Sequence, residues 1–179
     1  LELAKLMAKD SYNLVLIDQR KELPDVKKEL LDIYPDINIK TIIKDLTRPD
    51  VAIEIFEELE KDKIIIDVLI NNAGFGHYGE FSESDWRTEL NMLKLHVITL
   101  THMTKLFLKG MLERKRGKLM NVVSMAAFQP SPLMSIYFAS KAYILHFSEA
   151  IANEVKGSGV TVTVLCPGAT KTGFQETIN

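Results

Sequence analysis

Tyr137 and Lys141 stand four residues apart in the stretch SIYFASKAYILHFSEA, residues 135–150. On a helix that spacing puts both side chains on one face, one turn apart. An ammonium beside a phenol favours the phenolate and lowers the tyrosine pKa, which suits the phenol to acid–base work nearer neutral pH. Tyr-x-x-x-Lys alone is a weak signal, met by any helix with a half-buried tyrosine and an exposed lysine. Ser124 strengthens it. This serine ends an apolar strand pattern thirteen residues before Tyr137, with Pro130 and Pro132 in the intervening loop. Such a loop can bring a hydroxyl beside the phenol, where it would hold a carbonyl or carbinol oxygen.

Two further groups follow apolar runs. Asn71, Asn72, Ala73 and Gly74 close the run IIIDVLI, and Gly74 allows close approach of a backbone or ligand. An ordinary strand-to-loop turn with asparagines bonded to the backbone reads the same. Pro167 and Gly168 follow the run VTVTVLC, with Thr172 beyond them.

The elements that must position these residues alternate in type. Helical periodicity covers 1–9, 23–33, 48–62, 84–111 and 135–156; strand-like runs cover 12–18, 37–43, 64–70, 118–124 and 160–166. Pro49 suits a first helical turn, and Gly157 and Gly159 end the last helix. Strands separated by helices imply an α/β fold, a doubly wound, mostly parallel sheet in three α/β/α layers. Ligands of such sheets bind beyond the carboxyl ends of the strands. Asp18, Asp45, Asn71, Ser124 and Pro167 all fall there.

Composition narrows the partners. The 179 residues suit one domain, with no internal repeat or linker. The net charge of -2 gives no case for nucleic acid or an anionic membrane surface. The basic run at 114–118 reads as a solvated helix end. Cys166 is the sole cysteine, so no disulfide framework or cysteine-rich metal site is expected, and a reducing, cytoplasmic setting fits. No apolar run has membrane-spanning length.

The ordered set NNAG, NVVS, YFASK and PGATKT resembles the short-chain dehydrogenase/reductase family, with matching spacing across essentially every residue. That resemblance implies a Rossmann-like domain over 1–179, a nicotinamide dinucleotide, a carbonyl or alcohol substrate and a homodimer or homotetramer. In those terms Tyr137 is the acid/base, Lys141 tunes it and binds the nicotinamide ribose, and Ser124 orients the substrate oxygen. Asn71, Ala73 and Gly74 line the cofactor. Pro167, Gly168 and Thr172 flank the nicotinamide, and Asp45 contacts adenine, although its local sequence equally suits a turn. Asp18 ends LVLID, where a carboxylate accepts from ribose hydroxyls and repels a 2′-phosphate, favouring NAD(H). Arg20 keeps NADP(H) in play. Met103, Leu106 and Phe107 on one helix, and Ala142 and Leu145 on another, could pack against a second subunit or form core.

Two departures from the family stand out. His96 occupies the usual asparagine position, either supporting a proton relay or sitting as a satisfied core histidine. The glycine-rich loop, the first strand and the far C-terminal segment do not appear, so the domain is expected to be incomplete at both ends and a poor dinucleotide binder by itself. A non-catalytic dinucleotide sensor or scaffold of the same fold is the alternative function. A flavodoxin-like binding domain would leave the Ser/Tyr/Lys set unexplained.

Overall fold

The computed structural model describes residues 1–168. Thr172 lies outside the described residues. The chain forms two compact units that divide after Leu46.

The first unit holds α1 (Glu2–Lys9), β1 (Leu14–Asp18), α2 (Leu23–Ile33) and β2 (Ile39–Ile43). Pro24 sits in the first turn of α2, where its missing N–H costs nothing. β1 and β2 pair in parallel from Leu14↔Ile39 to Asp18↔Ile43. Ala8, Leu30, Ile37 and Ile39 form the core, with Leu14 and Leu16 packed against it. At the carboxyl end Lys44 N–H bonds to Asp18 O at 3.1 Å, so the chain leaves both strands together.

The second unit begins with α3 (Val51–Lys61) and β3 (Val68–Asn71). β3 starts four residues later than the apolar run suggested. Ile64 N–H is taken by Leu59 O at the exit of α3, and Ile65 is 65% exposed. The run IIIDVLI therefore serves two purposes, and only its second half enters the sheet.

The long helix expected over 84–111 is three pieces: α4 (Trp86–Leu93), a π-helical turn (Lys94–Thr99) and α5 (Leu100–Glu113). Asp85 caps the start by accepting Thr88 N–H at 2.9 Å. The wider π turn shifts the inward stripe and seats His96 and Thr99 in the interior.

β4 (Gly117–Val122), a 3-10 turn (Met125–Phe128), α6 (Ser135–Glu154) and β5 (Val160–Leu165) complete the described unit. The sheet order is β3-β4-β5, all parallel, in register from Val68↔Lys118 and Gly117↔Val160. α5 lies against β3 and β4, α6 against β5, and α3 against α5. Leu100, Val123, Ala127, Ile144 and Leu145 form one core cluster. Met103 and Phe107 are also buried, so these two and Leu145 are core rather than surface for a partner.

α6 buries Tyr137, Ser140, Lys141, Ile144, Leu145 and Ser148. The spacing is that of one helical face, yet most of the face is polar. A hydrogen-bonded chain makes such a face tolerable. Asn71 Nδ2 donates to Thr104 Oγ1 at 3.2 Å and Asn121 Oδ1 at 2.9 Å. Asn121 Nδ2 donates to Ser148 Oγ at 2.8 Å, and Ser148 donates to Ile144 O at 2.6 Å. Removing one member would strand a buried partner at a cost of about 1–3 kcal/mol.

Candidate active site

Three strand ends in the second unit and the first turns of α6 meet at one place. Val123 N–H bonds to Leu165 O at 2.8 Å, and Met125 N–H bonds to Pro167 O at 3.1 Å. These bonds tie the Ser124 turn to the turn after β5. Ser124 Oγ accepts Ala126 N–H at 3.1 Å, which caps the 3-10 turn and fixes the hydroxyl. Ser124 also hydrogen-bonds the Tyr137 side chain.

Tyr137 is 7% exposed, in a cluster with Met92 and Ala126 against which Phe75 and Met134 pack. Burial raises its pKa above the ordinary phenol value, and the Ser124 bond opposes this. The expected depression by Lys141 is absent from the balance. Lys141 is aimed elsewhere: its Nζ donates to Val122 O at 3.2 Å and lies 5.7 Å from the Tyr137 ring centre. Burial lowers Lys141 itself to about 8, with Cys166 opposing the shift. In this state the phenol is protonated at neutral pH.

Gly74 adjoins both Lys141 and His96. A Cβ on Gly74 would lie 2.8 Å from His96 Nε2 and 3.6 Å from Lys141 Nζ. The imidazole is fully buried and cannot withdraw, so the position requires glycine. Beside it His96 Nε2 accepts Phe75 N–H at 3.3 Å, and His96 Nδ1 lies 2.9 Å from Ser140 Oγ. Burial, then the Lys141 charge, lowers His96 to about 3. His96 is therefore neutral at working pH, with both ring nitrogens engaged. That matches the satisfied core histidine among the two sequence readings.

Other site residues divide clearly. Asn71 turns its amide nitrogen into the core chain, which holds the end of β3. Ala73, Gly74 and Gly168 offer exposed backbone at the strand ends. In the first unit Asp18 ends β1 and Asp45 follows the carboxyl end of β2. Asp18 is bonded by Arg20 through N–H at 3.0 Å, Nε at 3.1 Å and Nη2 at 2.7 Å. Burial pushes the Asp18 carboxyl up, but the Arg20 bonds outweigh it and hold it below its usual value.

Sequence reasoning missed Ser140, which passes the His96 bond on to Tyr137 O at 2.8 Å. Its place three residues after Tyr137, on the same face, was the available signal. It also missed Glu89, which with His77, Gly79, Leu133 and Tyr137 lines a recess of about 10 Å³, room for about one water. Leu133 sits at φ 64° and its carbonyl takes Gly79 N–H at 2.8 Å, joining the two loops around this recess.

The donor set suits a dinucleotide: a tethered serine and tyrosine, an adjoining ammonium, and side-chain-poor backbone at strand ends. Among the described residues no cluster of His, Cys, Asp or Glu could hold a metal. No described helix is long and apolar enough to cross a membrane.

Comparison with known proteins agrees with this geometry. The family model for short chain dehydrogenase matches residues 1–179. The chain is 31% identical over 175 residues to 17-beta-hydroxysteroid dehydrogenase type 3 of Mus musculus, covering 97% of this chain and 57% of the relative. It is 34% identical over 171 residues to very-long-chain 3-oxoacyl-CoA reductase of Anas platyrhynchos, covering 92% and 54%. A solved short-chain dehydrogenase from Sphingobium yanoikuyae in complex with NADPH superposes with TM-score 0.90 at 28% identity, covering 99% of this chain and 70% of that one. The chain belongs to the short-chain dehydrogenase family and has its Rossmann-like α/β fold. It spans about half the length of the curated relatives it matches.

Proposed function

We propose that the whole protein is an oxidoreductase that moves hydride between a nicotinamide dinucleotide and a carbonyl or secondary alcohol. The carrying observation is the buried Tyr137 phenol bonded to a fixed Ser124, with the Lys141 ammonium one turn along the helix. In the second unit Ala73, Gly74, Tyr137, Lys141, Pro167 and Gly168 would contact the cofactor; in the first, Asp18 and Asp45 are the candidates for its adenosine part. Its nicotinamide, when bound, supplies or accepts the hydride. Ser124 orients the substrate oxygen, and Tyr137 gives that oxygen a proton in the reducing direction. In the oxidising direction the Tyr137 oxygen would take the proton back.

The reading extends to a ketone with an apolar body. Phe75 and Met134 pack around Tyr137, and Met125 and Phe128 stand exposed after Ser124. The names of the two relatives, a 17-beta-hydroxysteroid dehydrogenase and a very-long-chain 3-oxoacyl-CoA reductase, point to substrates with large apolar parts. NAD(H) keeps a small preference through Asp18, weakened by the Arg20 fork. A homodimer or homotetramer is part of the reading, supported by Ile98 and Tyr143, exposed on the π turn and α6. Cytoplasmic placement is also part of it, supported by the free Cys166.

The test is Tyr137→Phe in the whole protein, assayed against a panel of apolar ketones. Turnover should fall by about 10²–10⁴ while dinucleotide binding persists. Cofactor binding with no Tyr137-dependent turnover on any ketone would instead make the protein a dinucleotide sensor.

A further inference from the structure

His96 has a hydrogen-bond role that its neighbours dictate completely. Phe75 N–H can only donate, so Nε2 must carry the lone pair. Ser140 spends its proton on Tyr137 O, so its oxygen must accept from the imidazole. The Nδ1 nitrogen therefore bears the hydrogen, and one neutral tautomer satisfies every partner. A second ring proton would point Nε2–H at Phe75 N–H, donor against donor. The titratable groups facing the ring are Lys141 and Tyr137, both on α6; the facing loop brings only Gly74 and Phe75.

These bonds run in opposite directions from one rigid ring. One arm holds the loop after β3, at the glycine next to Lys141. The other holds the turn of α6 that presents Tyr137. We propose that His96 is a positioning residue, a two-armed clamp that fixes the spacing between the cofactor loop and the proton donor and itself carries no proton in the reaction. This rests on the oxidoreductase reading for its catalytic consequence, but the clamp stands independently of it.

The arms can be cut separately. In His96→Gln an amide oxygen reaches the place of Nε2 and keeps the Phe75 arm. In His96→Asn a shorter amide reaches the place of Nδ1 and keeps the Ser140 arm. His96→Leu loses both. In the whole protein with ¹⁵N-labelled histidine, the imidazole signal lost in His96→Gln should report the Nδ1–H tautomer, unchanged between pH 5 and 9. Exchange of the Phe75 amide should be slow in wild type and His96→Gln and fast in His96→Asn and His96→Leu.

Turnover should fall about 10–100-fold in His96→Leu, with partial recovery in both amide variants and the same inflections in the kcat–pH profile throughout. A His96 signal that titrates in that range, or the Nε2–H tautomer, would overturn the proposal. So would a kcat–pH inflection that vanishes in His96→Gln, or wild-type Phe75 protection and turnover in His96→Leu. The tautomer and exchange measurements need no substrate. They therefore fail or succeed separately from the Tyr137→Phe test of function.

Discussion

Lys141 shows how function opposes stability at a single position. Only 5% of its surface is exposed, and its ammonium has one protein acceptor in Val122 O. The buried charge lowers its pKa from 10.5 to about 8. Between those values the unfolded chain binds the extra proton, so stability rises with pH across that window. Below pH 8 the cost is present in full. Lys141→Met should therefore stabilise the cofactor-free protein by about 1–3 kcal/mol at pH 7, the stranded Val122 carbonyl offsetting part of the gain. Urea unfolding at pH 7 and pH 10 checks this: the advantage must shrink at the higher pH. Equal stabilisation at both values would mean that burial does not lower the lysine pKa. The same residue shows a limit of sequence reading. Tyr-x-x-x-Lys correctly put both side chains on one face. It could not give the sign of the tyrosine shift, because burial is set in part by Phe75 and Met92, which come from distant segments.

Elements meet their partners at points where the backbone leaves no room. Gly159, between α6 and β5, has φ +85°, and a Cβ there would lie 2.0 Å from Lys115 O. The residue thus lets the entrance of β5 pass against the chain just before β4. Gly159→Ala meets both a disfavoured dihedral and a backbone clash, and should cost about 2–4 kcal/mol. Gly157→Ala, with similar φ but open space around it, should cost less. Thermal unfolding of the pair separates the clash from the dihedral, and equal losses would remove the clash. The order of helices and strands was legible because caps, prolines and glycines punctuate a strong apolar rhythm. The π turn was not, since one residue of extra width leaves the apolar count of residues 84–111 unchanged. The inward direction of Asn71 was likewise hidden. At the last residue of a strand, sequence does not tell a core-facing amide from a ligand-facing one.

At the scale of the whole molecule, the residues singled out in the sequence divide between the two compact units. Residues 1–46 contain Asp18, Arg20 and Asp45; Ser124, Tyr137, Lys141 and His96 all lie in the other unit. The Asp18–Arg20 pair is self-contained within three residues, with bonds down to 2.7 Å. Arg20→Ala frees the carboxylate and should shift the NADH-to-NADPH ratio of kcat/KM toward NADH by about tenfold, equivalent to about 1.4 kcal/mol. Asp18→Ala releases the guanidinium and should shift it toward NADPH. Ratios unmoved by both changes would place coenzyme choice elsewhere in the chain.

The division after Leu46 also has a meaning for inheritance. Under the proposed function, the residues read for coenzyme choice and those read for proton delivery fall on separate stretches of chain, each with its own core. A recombination joining a relative's segment equivalent to residues 1–46 to the remainder would carry across one trait and leave the other intact. Under that reading, such an exchange would retune the protein to a different cellular reductant pool without any change around its buried phenol.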